Sequence, residues 1–229
     1  MTIDLILEKE LKLFDKWKLQ REFLCPDGII DFESYSKSKI KIMLLLKEAN
    51  AVNEIVDFKD FLNNGAYERK ATWENVLRWL YGIQNIDTDY KWSEIKNIFS
   101  NEKIRTEYLK SLLFCNLKKI GGSYTTNNFD FYEICIQDKE LIIEQINLYF
   151  DNSLISPDFI IAGGSAVTST FSEIFNLTDD KWKQTLKGIY YCEFRPHKYF
   201  IDFVHPEVRV PPNYVYYLLI DTIREIRHS

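Results

Sequence analysis

Four short apolar runs, separated by segments with helical periodicity, constrain the fold of this chain more than any other feature of its sequence. The runs lie at residues 39–46, 111–117, 157–166 and 199–206. The first, KIKIMLLL, is nearly continuously apolar, which is typical of a strand buried on both faces of a parallel sheet. Because helical segments separate the runs, the chain is predicted to be an α/β protein, a three-layer α/β/α sandwich with a short, mainly parallel four-stranded central sheet.

Apolar residues at helical spacing predict the segments that cover this sheet. These segments are residues 3–21, 71–82, 91–110 with a break near Ser100, 137–151, 165–175 and 213–226. Thr72 is a predicted N-cap, and Pro212 lies near the start of the last helix. The polar stretch KKIGGSYTTNN, residues 118–128, predicts a loop.

Length and composition indicate one globular domain. Hydrophobic residues make up 46% of the 229 residues, and no repeat or linker is evident. We expect a single domain over residues 1–229, with an N-terminal helix and connector over 1–38 and the core over 39–229. The four cysteines form no CxxC pair, so no zinc site is expected. Without a signal peptide or an apolar run of the ~20 residues that span a membrane, we expect a reducing cytoplasmic setting and no membrane partner.

The charge of the chain excludes a protein that coats DNA without specificity. The net charge is -5, whereas such a protein would be basic overall. Residues 181–211 carry six Lys and Arg against three acids, so this segment is locally +3. Any contact with nucleic acid is therefore expected to use a local patch, and Lys198 and Arg209 of this segment are predicted DNA contacts.

Each predicted strand ends in polar or glycine residues. The first is followed by Lys47-Glu48-Ala49-Asn50 and the second ends at Asn116. The third leads into Gly163-Gly164-Ser165 and the fourth into His205-Pro206. Since ligands of parallel α/β sheets bind outside the carboxyl ends of the strands, these residues are predicted to form one site.

These four strand ends resemble those of the uracil-DNA glycosylase superfamily. The matching pieces are LLLKEAN, FCNL, PDFIIAGGSA and FVHPEVRVPP, and the resemblance covers roughly residues 39–227. It implies a monofunctional DNA glycosylase that acts on DNA, and we expect a monomer without a cofactor or metal. Such an enzyme flips a base out of DNA, hydrolyses its N-glycosidic bond and leaves an abasic site.

The first of these motifs departs from the family pattern. Ungapped matching puts Ala49 where members carry an acid or amide, so Glu48 or Asn50 is expected to handle the water. Ala51 falls where uracil-specific members carry a Tyr that blocks the C5 side of the base. We therefore hypothesise a pyrimidine larger than uracil as the substrate, such as a C5-modified base in damaged or foreign DNA.

The resemblance and the chemistry together suggest roles for the other motifs. His205 would stabilise the departing base, as an oxyanion hole does, and Asn116 would read a pyrimidine edge through its donor and acceptor. An aromatic ring should stack on the flipped base. The candidates are Phe58, Phe61, Tyr67, Trp73 and Phe114, with Phe58 and Phe114 preferred.

Backbone and loop groups are predicted to hold the DNA. Gly163, Gly164 and Ser165 precede a helix, so their N–H groups could bind a phosphate, although a tight turn also requires glycine. The loop of residues 206–212 is the predicted minor-groove wedge, through Pro206, Val208 and Arg209. Lys47 is a further predicted DNA contact.

Two other classes of function stay open at this level. Because the usual acid is replaced by Ala49, the chain could be a catalytically silent relative that binds nucleic acid or a partner protein. It could also be a small-molecule nucleotide binder. Lys47 leaves a lyase activity open.

Overall fold

The computed structural model describes residues 3–68, 70–122 and 127–228. Its centre is a mixed sheet of seven strands in the order β1-β3-β2-β4-β7-β6-β5. The strands are β1 Gly28–Ile29, β2 Ile42–Leu46, β3 Leu112–Asn116, β4 Phe159–Gly163, β5 Trp182–Gln184, β6 Tyr190–Arg195 and β7 Lys198–Phe203. The α/β class is therefore confirmed, but the predicted count of four strands is wrong.

The four strands that the apolar runs predict form the parallel centre of the sheet. β2 pairs in parallel with β3 and β4, and β4 pairs in parallel with β7. The additional strands β1, β5 and β6 pair antiparallel at the two edges. The sequence pattern does not predict these strands. β1 has only two residues, β5 has three residues that are largely exposed, and β6 mixes buried and exposed residues. The β6–β7 hairpin turns at His197 with a φ of 58° rather than at the usual Gly or Asn.

Helices cover the sheet, and their bounds differ in part from the predicted ones. They are α1 Ile3–Lys18, α2 Phe32–Ser36, α3 Phe58–Asn63, α4 Lys70–Gln84, α5 Trp92–Ile95, α6 Glu102–Lys110, α7 Asn128–Gln137, α8 Lys139–Phe150, α9 Ser165–Ile174 and α10 Pro212–His228, with 3-10 turns at Ile98–Ser100 and Asp179–Lys181. The predicted N-cap Thr72 lies inside α4, so that prediction is wrong. The sequence pattern also missed α7, which a break at Asp138 separates from α8.

Alternating residues of the central strands feed two hydrophobic cores, one on each face. In β2, Ile42, Leu44 and Leu46 join the core that contains α4 and α10. Met43 and Leu45 join the other core, which contains α1, α8 and α9. This alternation follows from the period-2 geometry of a strand, and it explains why β2 reads as a continuous apolar run.

The N-terminal segment is integrated into the same body. α1 packs against α8, and β1 extends the sheet by pairing with β3. Part of the predicted loop at 118–128, namely residues 123–126, lies outside the described residues. Within the described ranges, no helix has the length and apolar character needed to cross a membrane.

Candidate functional site at the carboxyl edge of the sheet

The strand order places a crevice at the carboxyl ends of the parallel strands. β2 lies between β3 and β4, so the connections that leave β2 and β3 run to different sides of the sheet. Such a switch point is where open α/β sheets bind their ligands. The residues that follow β2, β3, β4 and β7 meet there, as the sequence pattern predicts.

A cleft of about 640 Å³ lies along this edge. Its walls come from the ends of β2, β4 and β7 and from the first turns of two helices, namely Lys47, Glu48, Ala49, Asn50, Asn128, Gly163, Gly164, Ser165, Ala166, Val167, His205, Glu207 and Arg209. The lining is polar and carries both signs of charge.

A smaller pocket of about 190 Å³ adjoins the cleft. Glu48, Ala49, Asn50 and His205 line both cavities, so they separate one from the other. Four aromatic residues, Phe58, Phe61, Trp73 and Phe114, line the pocket together with polar residues that include Glu54 and Glu68. This pocket has the size and the flat apolar surfaces that suit one planar ring.

The four aromatic rings pack on one another. The Phe58 and Phe114 ring centroids are 4.7 Å apart, and Trp73 meets Phe114 edge-on at 5.3 Å. Phe61 contacts both Phe58 and Trp73. Of the predicted stacking candidates only Tyr67 lies elsewhere, since it is half exposed and packs under the Arg105 guanidinium.

Asn116 presents an unusual amide to this pocket. The residue is 2% exposed, and neither its Nδ2 nor its Oδ1 has a hydrogen-bond partner within the described part of the chain. Leaving a buried polar atom without a partner costs about 1–3 kcal/mol, so such a group is expected to have a ligand or water as its partner. The backbone of Asn116 is held separately, because its N–H donates to Asp27 Oδ2 at 2.7 Å.

Asp27 belongs to a buried network behind the end of β3. Lys119 Nζ donates to both oxygens of Asp27, at 2.7 and 2.8 Å, and both side chains are almost fully buried. Gln145 Nε2 donates to Asp27 Oδ1 at 2.9 Å. These bonds tie β1, β3 and α8 together directly behind Asn116, and thereby hold the strand end in place.

Glu48 is a second buried polar side chain at the site. Lys118 pairs with its Oε2, and only 5% of the Glu48 side chain is exposed. Its Oε1 has no hydrogen-bond partner among the residues described. Gly122 leaves room for the carboxylate, because a Cβ there would lie 2.5 Å from Oε1. The Gly122 N–H also donates to the Ala49 carbonyl at 2.8 Å, which anchors the turn after β2.

His205 is oriented by the loop that follows it. The Glu207 backbone N–H donates to His205 Nδ1 at 3.1 Å, so in the neutral ring the proton lies on Nε2. The Glu207 carboxylate in turn accepts a hydrogen bond from the Thr72 hydroxyl at 2.9 Å. His205 can therefore act as a hydrogen-bond donor at the junction of the two cavities.

Lys47 reaches the cleft from the end of β2. Its Nζ donates to Asn128 Oδ1 at 2.7 Å and lies 5.1 Å from the centre of the Phe131 ring. Partial burial lowers the pKa of the Lys47 amine, the nearby Glu48 carboxylate opposes this, and the Lys118 ammonium lowers it further.

The start of α9 forms the opposite wall of the cleft. Gly164 has a φ of 110°, which favours glycine, and no side chain caps the first turn of the helix. The N-terminal N–H groups and the helix dipole make this wall favourable for an anion.

The fold brings most of the predicted site residues together at the cleft and the pocket. Three of them, Pro206, Val208 and Lys198, line neither cavity. Val208 packs against the core that contains α4 and α10, and Pro206 is buried, with its carbonyl accepting a hydrogen bond from Asn75. Lys198 begins β7, at the opposite end of the strands from the cleft, where it pairs with Asp158 at 2.7 Å. The structure therefore places Lys198 away from the cleft, apart from the other predicted DNA contacts.

The cationic segment 181–211 is not gathered at the cleft either. Lys187 pairs with Asp221, and Arg195 bonds to Asn147. Within this segment Arg209 is the cation that lines the cleft. Its local charge of +3 therefore does not describe the charge at the cleft.

Sequence reasoning missed the residues that support the site. Lys118, Lys119, Gly121 and Gly122 belong to a stretch whose polar composition predicts only a loop, and Asp27 belongs to the N-terminal connector. The signal that could have found them was the pair of lysines directly after the second apolar run. Charged residues in such a position become buried only when acids face them.

Comparisons of this chain with protein families, with curated proteins and with solved structures found no match. The site is therefore described from its geometry alone, without a related protein for comparison. It consists of an aromatic pocket with an unpartnered amide, opening through a carboxylate and a histidine into a larger polar cleft. Across the described ranges, no cluster of three or more His, Cys, Asp and Glu side chains could hold a metal ion.

Proposed function

We propose that this chain is a divergent member of the uracil-DNA glycosylase superfamily that removes a modified base from DNA. The observation that carries the proposal is the Asn116 amide, buried in the wall of an aromatic pocket with neither polar atom partnered within the described ranges. A flipped pyrimidine would supply both the missing acceptor and the missing donor, and it would stack on the ring of Phe58 or Phe114.

Glu48 and His205 would carry the chemistry at the mouth of this pocket. Breaking the N-glycosidic bond leaves positive charge on the sugar and negative charge on the departing base. The Glu48 carboxylate would stabilise the sugar cation and accept a proton from the attacking water through Oε1. Asn50, which lines both cavities, is a second candidate to hold this water. His205 Nε2–H would donate to an oxygen of the leaving base.

The proposed substrate is a pyrimidine with a substituent at C5. Ala51 lines the pocket and is 5% exposed, so a methyl group stands where the family resemblance implies a phenol ring. A smaller side chain leaves room for a larger base. Damaged DNA and foreign DNA that carries modified bases are both compatible sources.

The larger cleft would hold the DNA backbone. Arg209 and Lys47 line it, and the N-terminus of α9 adds backbone donors for a phosphate. With so few cations at the cleft, we expect modest affinity for DNA that decreases as salt increases. The four cysteines are free and buried, which agrees with a reducing cytoplasmic setting.

Base release from defined duplexes tests the proposal. We expect wild-type protein to release a C5-substituted pyrimidine, such as 5-hydroxymethylcytosine, faster than uracil, measured by chromatography of the free base. Asn116→Ala and His205→Gln should each lower this rate by about 100-fold or more, since both remove contacts to the departing base.

Lys198→Gln provides the matched control, because Lys198 lies at the opposite end of the strands from the cleft. It should leave the rate unchanged. Wild-type protein that binds DNA but releases no base from any duplex would favour the catalytically silent alternative. Mononucleotide binding without DNA binding would favour a nucleotide-binding protein.

A further inference from the structure

Three lysines follow the ends of β2 and β3, and two of them are engaged in buried ion pairs. Lys118 pairs with Glu48, and Lys119 pairs with Asp27. The third, Lys47, donates to the neutral amide of Asn128 and lines the large cleft. Among the described residues, Lys47 is the lysine whose side chain forms part of the cleft wall.

We propose that Lys47 is a nucleophile that gives this site a second activity, the cleavage of DNA strands at abasic sites. The inference rests on the proposed binding of DNA at this edge, and it differs from the monofunctional reaction that the family resemblance implies. Lys47, Glu48 and His205 all line the same cleft. An aldehyde left after base removal would therefore form within reach of an amine and a base.

The environment of Lys47 suits nucleophilic attack. A neutral amide partner stabilises the ammonium less than a carboxylate would, and partial burial lowers the pKa of the amine. The Lys118 ammonium acts in the same direction, although Glu48 opposes it. A larger fraction of the neutral amine is thereby present near neutral pH than in an exposed lysine.

The chemical steps balance without any added oxidant or reductant. The Lys47 amine attacks C1′ of the ring-opened abasic sugar, and loss of water gives a protonated Schiff base. A base, for which Glu48 is placed, removes a proton from C2′. The electron pair then expels the 3′ phosphate as the C3′–O bond breaks. Water hydrolyses the Schiff base, releasing an unsaturated aldehyde on the DNA and restoring the amine.

Trapping with borohydride on a preformed abasic duplex tests this activity without requiring base release. Borohydride reduces a Schiff base to a stable amine, so we expect wild-type protein to become covalently joined to the DNA. Mass spectrometry of the digested complex should locate the adduct on Lys47. Lys47→Arg, which keeps a cation but no attacking amine, should lose the trapped complex, whereas Lys198→Arg at the opposite end of the strands should retain it.

Several results would overturn the inference. One is wild-type protein that binds the abasic duplex, measured by fluorescence anisotropy, but neither nicks it nor is trapped on it. Others are an adduct on Lys118 or at the N-terminus, or a trapped complex that persists in Lys47→Arg. Base release from modified duplexes is measured in parallel. If base is released but no protein is trapped on DNA, only the proposed lyase activity is contradicted. If no base is released, the proposed glycosylase activity is contradicted.

Discussion

Replacing Gly122 by alanine should displace the Glu48 carboxylate and lower the rate of base release, with little change in the stability of the fold. A Cβ at residue 122 would lie 2.3 Å from Glu48 Cδ and Oε2, whereas ordinary contact begins at 3.4 Å. The carboxylate must therefore move by the difference, 1.1 Å. Since the obstacle is the end of a side chain, this movement does not require the backbone to shift.

The size of the effect follows from that displacement. A misplacement of about 1 Å in a reacting group can cost about 100-fold in rate, which corresponds to about 2.7 kcal/mol of transition-state stabilisation. Gly122 does not have a left-handed φ, so the backbone tolerates alanine, and we expect the free energy of unfolding to change by no more than about 1 kcal/mol.

The assay is single-turnover base release from a duplex with one C5-substituted pyrimidine, together with urea unfolding of the same preparation. Glu48→Gln is the comparator, because it removes the charge without adding an atom, and it should lower the rate at least as much. Gly121→Ala is the structural contrast, since its Cβ would overlap the Ala51 backbone carbonyl and should destabilise the fold.

A near wild-type rate for Gly122→Ala would show that the position of the Glu48 carboxylate does not limit the reaction. The reasoning would also fail if Glu48→Gln kept the wild-type rate while Gly122→Ala lost it. In that case the glycine would act through the turn after β2 rather than through the carboxylate.

Two other substitutions test the support and the shape of the pocket. Lys119→Met should lower the free energy of unfolding by about 3–5 kcal/mol in urea titrations, because it leaves the buried Asp27 charge without its ion-pair partner. The double variant with Asp27→Asn should recover part of this loss, and a loss below about 1 kcal/mol for the single variant would contradict the role of the pair. Ala51→Tyr should shift the ratio of kcat/KM for uracil over a C5-substituted base by more than about 10-fold towards uracil, measured on paired duplexes. An unchanged ratio would mean that residue 51 does not face the C5 side.

The parallel centre of the sheet was predictable because its signal is local. β2, β3, β4 and β7 are short apolar runs flanked by polar turns, and strands buried on both faces need such runs. The antiparallel strands lack this signal, because β1 has only two residues and β5 and β6 carry exposed residues. α7 was missed because its apolar residues follow a loop-like stretch without a clear start.

The residues at the carboxyl edge were predictable for a similar reason. Parallel strands end at the same edge, so Glu48, Asn116, Gly163 and His205 had to lie near one another once the strands were assigned. Lys198 shows the limit of this reasoning. It directly precedes the apolar run that leads to His205 and starts the strand, so it lies at the opposite end of β7 from His205.

The sequence by itself determined the α/β class, the parallel centre and the polar residues that the strands present at one edge. Only the tertiary structure decided which charges are buried together and which amine faces the cleft. Glu48 and Lys118 are separated by 70 residues, and Asp27 and Lys119 by 92. Hydrophobic periodicity acts over a few residues and can be read along the chain. Ion pairing between distant segments depends on the folded arrangement that brings them into contact.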